Sequence, residues 1–267
     1  MRLALHIPEF SSRLPDEWRR TLGEIGVDGL AITAAALSGA GIESWSRNGD
    51  VSQPVTIAAV ESQIDFASMR EADETEQRRQ LRDIIALAGQ VGAANVLIGG
   101  DRAEAAAAPR DRALSRIVAA LRAAGPLAVE YNLTLAVRNG GALADSRELW
   151  HVVDAVRDLP IRACLDVNAI NGPISLWIPR LAGMLALVRT RVDESATDGQ
   201  DLERLINLLR GIAYRGWLLV DVADGASAAD AARRLKTEIA KPVVPLSAYK
   251  GDRNAPRFAR SPGVAAK

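Results

Sequence analysis

Residues Leu133–Gly141 read LTLAVRNGG, and this stretch decides the fold class of the chain. Its leucine and valine residues alternate with smaller or polar residues, which is the pattern of a strand with one apolar face. The run ends at Arg138, and Asn139-Gly140-Gly141 then signals a turn. A charged residue at the point where a strand stops and a glycine loop starts is typical of the rim of an α/β active site. The stretch therefore predicts a strand that carries Arg138 to such a rim.

The composition favours a globular protein and excludes several classes of partner. The chain has 267 residues, of which 48% are hydrophobic, and its 33 basic and 33 acidic residues give a formal net charge of +0. This balance predicts no partner among nucleic acids or anionic membranes. Cys164 is the single cysteine, so no intrachain disulfide can form and a reducing compartment is expected. The short apolar run before Pro8 resembles neither a signal peptide nor a membrane span, which predicts a cytoplasmic protein.

Strand and helix patterns alternate along the chain. Helical patterns separate the strands at about 15–26, 73–92, 112–131, 146–156, 176–183, 201–212 and 228–239, and we expect Gly125-Pro126 to bend or break one of them. The region of about 34–53 is weakly periodic and predicts a short helix or irregular structure. The eight strand patterns cover residues 2–7, 28–33, 55–60, 95–98, 133–138, 161–166, 185–192 and 217–222. Such alternation predicts a single (β/α)8 TIM barrel over residues 1–245, followed by a basic tail with proline and glycine at 246–267.

Chemistry in a barrel of this kind takes place at the C-terminal ends of the strands. We therefore select the polar residues at or just beyond those ends. The candidates for acid–base catalysis are His6, Glu61, Asp166 and Asp221, and the candidates for substrate binding are Arg138, Asn139, Asn168, Arg189, Arg191 and Asp193.

Four stretches carry a resemblance to a known family: GVDGLAI, LAGQVGAANVLIGG, LTLAVRNGG and YRGWLLVDV. They resemble segments of the xylose isomerase-like TIM barrel superfamily, which contains sugar phosphate isomerases and epimerases and, more distantly, endonuclease IV. The resemblance extends to about residue 240. It implies the barrel fold and a small carbohydrate-like ligand at the mouth of the barrel.

The same resemblance implies a degenerate metal site. Members usually hold a divalent cation with Glu on the fifth strand, Asp on the sixth, His on the seventh and Glu on the eighth. Here Arg138 occupies the fifth-strand position, Asp166 matches, and Asp221 is a shorter acid on the eighth. The seventh-strand histidine is replaced by Arg191, or by Arg189 in a shifted register, and Asn168 replaces a histidine that often follows the sixth-strand Asp.

Charge makes this degenerate site a poor place for a metal. A guanidinium about 4 Å from a divalent ion costs roughly 8 kcal/mol at an effective dielectric constant of about 20. We therefore expect no catalytic metal of the family's kind and no other cofactor, while weak binding of a divalent cation at Asp166 and Asp221 stays open.

Three functions follow, in order of preference. The first is a diverged barrel that binds a small polar or anionic carbohydrate-like ligand without a metal. Its arginines either recognise the ligand or form ion pairs with Asp166, Asp193 and Asp221. The second is an active sugar isomerase or epimerase that uses carboxylate or histidine acid–base chemistry through an enediolate. The third, a DNA repair enzyme like endonuclease IV, fits poorly because the chain has two histidines and no net charge. Whether the protein is an enzyme stays open.

Overall fold

The computed structural model describes residues 1–6, 23, 26–40, 56–64, 66, 74–99, 110–191, 199–222 and 225–242. Eight parallel strands close into a barrel in the order β1 to β8, and β1 pairs with β8 to complete it. The strands are β1 Arg2–His6, β2 Gly29–Thr33, β3 Thr56–Glu61, β4 Asn95–Ile98, β5 Thr134–Arg138, β6 Ile161–Asp166, β7 Leu185–Arg191 and β8 Trp217–Asp221. The predicted (β/α)8 TIM barrel is confirmed.

Seven α-helices of the described residues lie between or after the strands and cover the barrel. They are α1 Ala34–Ala40, α2 Glu74–Gln90, α3 Arg110–Glu130, α4 Ser146–Ala155, α5 Ile174–Arg180, α6 Gly199–Gly211 and α7 Gly225–Ala240. Their apolar stripes pack on the outer face of the barrel, as Leu81, Ile85 and Ala88 of α2 illustrate. Within the part of the chain that the structure describes, none of the helices could span a lipid bilayer.

The interior of the barrel has a small-residue layer beneath its C-terminal end. This layer belongs to a cluster separate from the helix-facing core, in which most strands contribute an alanine or another compact side chain. Its members include Ala4, Ala31, Ala59, Leu97, Ala136, Cys164, Leu187 and Leu219. Because side chains alternate along a strand, the residue two positions further on points to the same interior. The small-residue layer therefore supports the long polar side chains that follow it.

Pro126 does not break its helix, and the prediction of a break there is wrong. Helix α3 runs from Arg110 to Glu130 with Pro126 inside it. Proline removes one backbone hydrogen bond of the helix. However, Ala124 and Ala128 on either side of it are both buried in the core, so packing holds the two halves in one continuous helix.

The remaining helix and strand predictions differ from the structure by a few residues. Helix α5 begins two residues earlier than the predicted 176 and ends at Arg180. The weakly periodic region of about 34–53 begins with the short helix α1. Most of the predicted helix at 15–26, the position Asp193 and the predicted tail at 246–267 lie outside the described residues.

Candidate active site

A layer of polar side chains fills the C-terminal end of the barrel, directly above the small-residue layer. Each member is the last residue of its strand or lies close to the strand end. Five of them, His6, Arg138, Asp166, Arg189 and Asp221, are buried, with at most 8% of the residue exposed. The sixth is Glu61, whose side chain is 12% exposed. Sequence analysis selected all six, and the structure brings them together; we call them the polar layer.

Glu61 joins the two buried arginines of the polar layer. Its Oε1 accepts a hydrogen bond from Arg138 Nη1 at 2.8 Å and another from Arg189 Nη1 at 2.7 Å. Arg138 is also held from the other side, because its Nε donates to the carbonyl oxygen of Gly99 at 2.9 Å. Since Glu61 lies on β3 and Arg189 on β7, this carboxylate ties opposite walls of the barrel together.

Asp221 connects His6 with Arg189. Asp221 Oδ1 lies 2.9 Å from His6 Nδ1, and its Oδ2 accepts a hydrogen bond from Arg189 Nε at 2.8 Å. The other ring nitrogen, His6 Nε2, lies 3.2 Å from Glu61 Oε2. The four side chains His6, Asp221, Arg189 and Glu61 thus form a closed ring of polar contacts across the floor of the barrel mouth.

The arginines keep the two paired carboxylates ionised. Burial by itself would raise the pKa of Glu61, but the charges of Arg189, His6 and Arg138 hold it below its ordinary value. Burial likewise opposes ionisation of Asp221, and hydrogen bonds with His6 and Arg189 lower its pKa. The pKa of Arg189 is raised, because both carboxylates outweigh the effect of burial on its charge.

Asp166 lies in the same layer but in a different environment. Burial raises its pKa, although Arg189 and Arg138 act in the opposite direction. Its Oδ1 accepts a hydrogen bond from the backbone N–H of Asn168 at 3.0 Å and so caps a short 3-10 helix at 167–169. Unlike Glu61 and Asp221, Asp166 forms no ion pair with another described residue.

Asn139 and Asn168 differ in what they offer to a ligand. Asn139 is fully buried, its Nδ2 donates to the backbone oxygen of Asp166 at 3.0 Å, and its Oδ1 accepts from the backbone N–H of Asp166 at 2.6 Å. These two bonds fasten the end of β5 to the end of β6. Asn168 is exposed within the 3-10 helix that follows β6, and its Nδ2 lies 3.4 Å from Asp166 Oδ1.

The two arginines of β7 separate into one inside and one outside the polar layer. Arg189 is buried, whereas Arg191 is exposed at the end of the strand. Arg138 and Arg189 both pair with Glu61 rather than with Asp166, and the expected pair with Asp221 is present for Arg189, whereas Asp193 lies outside the described residues. The physical reason is that barrel closure brings the end of β3 across the mouth toward β5 and β7.

Gly99 is a contributor that sequence analysis did not assign to this role. We considered Gly99-Gly100 only as a weak signal for contact between a phosphate and backbone amides. In the structure Gly99 has a φ of 87°, a left-handed conformation that favours glycine, and it presents its carbonyl oxygen to Arg138. The sequence signal for this role is a glycine that directly follows β4, the buried strand that pairs with β5.

The residues of the polar layer do not fit a divalent metal. Arg138 and Arg189 donate to Glu61 Oε1, and Arg189 also donates to Asp221 Oδ2. Both carboxylates are therefore already paired with guanidinium groups. A metal there would face two fixed guanidinium groups that cannot lose their protons. Among the described residues, no group of three or more histidine, cysteine and acidic side chains has the arrangement of a metal site.

A model of the family described as xylose isomerase-like TIM barrel matches residues 16–238. The chain belongs to this family. Solved structures with the same fold include the 3-keto-D-glucoside 4-epimerase of E. coli, with a TM-score of 0.70 and 16% identity over 89% of this chain and 99% of that one. A D-psicose 3-epimerase solved in the presence of D-fructose has a TM-score of 0.70 and 11% identity, over 90% and 96% of the two chains.

A family 2 AP endonuclease from Brucella melitensis shares the barrel as well. Its TM-score is 0.63 and its identity 14%, over 84% of this chain and 93% of that one. No curated protein matches the chain. At these identities the similarity to solved structures establishes the fold alone.

Proposed function

We propose that this xylose isomerase-like barrel binds a small, polar, carbohydrate-like ligand at the C-terminal mouth of its strands and does so without a divalent metal. The observation that carries the proposal is the double contact of Arg138 Nη1 and Arg189 Nη1 with Glu61 Oε1, at 2.8 and 2.7 Å. These guanidinium groups supply positive charge at the barrel end where members of the family hold their cation.

The class of ligand follows from the location and chemistry of the polar layer. Chains with the same fold carry the names of sugar epimerases, and one of them was solved with D-fructose present. The layer offers carboxylate oxygens, guanidinium N–H groups and the exposed amide of Asn168, which suit a ligand rich in hydroxyl groups. Because Arg138 and Arg189 already contact carboxylates, a neutral polyhydroxy ligand suits the layer better than a phosphorylated one.

Metal analysis and ligand binding test the two halves of the proposal. Protein purified without chelators is analysed for manganese, zinc, magnesium and cobalt, and its unfolding temperature is measured with and without EDTA. We expect a metal content far below one ion per chain and no effect of EDTA. One tightly bound ion per chain whose removal lowers the unfolding temperature would refute the metal-free site.

Thermal shift measurements then compare D-fructose and D-tagatose with a sugar phosphate and a sugar acid. A ligand at about 100 times its Kd adds roughly 2.7 kcal/mol to the stability, which corresponds to an increase of several degrees for a domain of this size. Arg189→Gln should abolish the shift, whereas Arg147→Gln, at an exposed position of α4, should retain it. If no compound of either class shifts the unfolding temperature, the proposed ligand class is wrong.

A role in DNA repair has less support, although an AP endonuclease shares the fold. The formal net charge of +0 provides no general attraction for the phosphate backbone of DNA. Tight, salt-dependent binding of a duplex with an abasic site would reverse this order of preference.

A further inference from the structure

We infer that the groove between α2 and α3 is a second binding site, which takes a small monocarboxylate with a compact apolar body. The groove holds a cavity of about 240 Å³ on the outer flank of the barrel. It is built by two helices that cover the barrel wall, whereas the polar layer is built by the strand ends. The site is therefore separate from the barrel mouth and from the function proposed there.

The floor of the groove is apolar because α3 presents only alanine to it. Ala120, Ala123 and Ala124 line the cavity from α3, and Leu81 lines it from α2. The spacing of three and four residues places these alanines on one face of their helix. Leu81, Ala120 and Ala124 are buried in the core and form the floor, while Ala123 is exposed at the rim. The short alanine side chains leave the space that a ligand would fill.

The rim of the groove on α2 is positively charged. Arg78 and Arg82 line the cavity, and because they are four residues apart they lie on the same side of the helix. Among the described residues that line the cavity, these two carry the only formal charges. Alanine methyl groups face the guanidinium groups where an acid of α3 would neutralise them. The groove thus combines two cations with an apolar floor, which is the complement of an anion with an apolar body.

Arg82 differs from its neighbour Arg79 in how its guanidinium is used. Arg79 does not line the cavity, and it pairs with Glu76 at 2.6 Å and with Asp83 at 3.0 Å. Arg82 is exposed and has no ion pair or hydrogen bond with any residue that the structure describes. Helix α2 therefore satisfies the arginine outside the cavity and leaves the donors of the one beside it for a ligand.

Arg78 also has a donor that lacks an acceptor. Its Nη2 donates to Glu74 Oε1 in the first turn of α2, which holds the guanidinium at the rim. Its Nε is buried and has no hydrogen-bond partner, a state that is uncommon in folded proteins and costs free energy. The side chain is 36% exposed, so a small rotation would turn the Nε edge toward the cavity. A carboxylate oxygen there would supply the missing acceptor.

The chemical class of the ligand follows from the two parts of the groove. The planar fork of arginine matches the two oxygens of a carboxylate. Leu81 and the alanines favour a short aliphatic or aromatic body, because apolar surface is removed from water on binding. A sugar would place hydroxyl groups against this floor without hydrogen-bond partners, which is unfavourable. Benzoate and hexanoate have the required form and serve as probes.

A titration of the full-length, ¹⁵N-labelled protein followed by NMR tests the site. Benzoate, hexanoate, benzamide and inorganic phosphate are added at constant ionic strength. We expect both carboxylates to bind with a Kd of about 1 mM, as is usual for ligands of this size, and to shift the amide signals of residues 78–82 and 120–124 most. Benzamide has the shape of benzoate without its charge and should bind about 10-fold more weakly. Phosphate, which cannot use the apolar floor, should also bind about 10-fold more weakly.

Three substitutions at exposed positions separate charge, shape and helix stability. Arg82→Gln removes one guanidinium of the groove and should raise the Kd for benzoate about 10-fold. Ala123→Leu keeps every charge but fills the rim, and it should block the binding of both carboxylates. Arg79→Gln is the matched control, because it removes the same charge from the same helix outside the cavity and should change the Kd by less than about twofold.

Each contrary outcome overturns the proposed site. The groove is not a carboxylate site if neither carboxylate binds at about 10 mM, ten times the expected Kd. Unchanged affinity in Arg82→Gln or in Ala123→Leu, or amide shifts that lie at the barrel mouth, would also exclude it. Equal affinity for phosphate and benzoate would reject the apolar part of the ligand. Any thermal shift with D-fructose should persist in Ala123→Leu, so this site and the proposed function can fail separately.

Discussion

Replacement of Arg189 by Met removes the cation that the polar layer depends on most. Its side chain is 10% exposed and contacts Glu61 at 2.7 Å and Asp221 at 2.8 Å. Breaking a buried ion pair by removing one partner typically costs about 3–5 kcal/mol, because the remaining charge is left uncompensated. Glu61 keeps the guanidinium of Arg138 and Asp221 keeps only His6, so most of the loss falls on Asp221. We therefore expect a decrease of about 3–5 kcal/mol in the free energy of unfolding near neutral pH.

The loss should depend on pH in a defined direction. In wild type the pKa values of Glu61 and Asp221 are below the ordinary 4.5 and 3.8, so their stabilisation is present above those values and is lost as the pH falls through the lower folded-state values. In Arg189→Met, burial of Asp221 is no longer opposed by the guanidinium, and its pKa rises. Acidification therefore removes less stability from the variant than from wild type.

Urea unfolding followed by circular dichroism measures both effects at about pH 7 and about pH 3. The difference between wild type and Arg189→Met should be smaller at the lower pH, since a pKa change of one is worth about 1.4 kcal/mol. Arg147→Met is the control, because this arginine is exposed on α4 and should change the stability by less than about 0.5 kcal/mol. A loss below about 1 kcal/mol, or one independent of pH, would refute the electrostatic account of the polar layer.

Three further predictions concern neighbouring residues. Arg138→Glu combined with Arg189→His should create a site that binds manganese or zinc in a 1:1 ratio by titration calorimetry, because both repelling cations are gone; no binding would contradict our reason for proposing a metal-free site. Asn139→Ala should destabilise the protein by about 2–3 kcal/mol in urea unfolding, because the backbone N–H and C=O of Asp166 lose their partners; a neutral result would argue against that clamp. Burial raises the pKa of the Cys164 thiol to about 12, so the native protein should react with a thiol reagent only as fast as it unfolds.

The fold was predictable because its signals are local. Alternating apolar residues in β5 and β6 and the turn residues after them follow from sequence spacing alone, and the repeated strand–helix order determines the barrel. Helix α3 was harder, because Pro126 is a local signal for a break. The burial of Ala124 and Ala128 that overrides it depends on tertiary packing.

The members of the polar layer were also predictable, since each strand end can be found by pattern. However, the sequence did not predict which of these side chains form ion pairs with one another. Sequence order suggested that the arginines would meet the acids of β6, β7 and β8, whereas closure of the barrel brings Glu61 of β3 to both arginines. The separation of Arg189 from Arg191 likewise depends on where β7 ends relative to the mouth. Such contacts follow from three-dimensional register, which a single sequence does not specify.

The closed ring of His6, Asp221, Arg189 and Glu61 has a kinetic consequence. Its contacts join residues 215 positions apart for His6 and Asp221 and 128 apart for Glu61 and Arg189. The first contact can form only after β1 and β8 have met and the second only after β3 and β7 have come together, which places both late in folding. Substitutions in the ring should therefore accelerate unfolding more than they slow refolding. The side chains that line the barrel mouth would then also set the unfolding rate, and with it the lifetime of the native state.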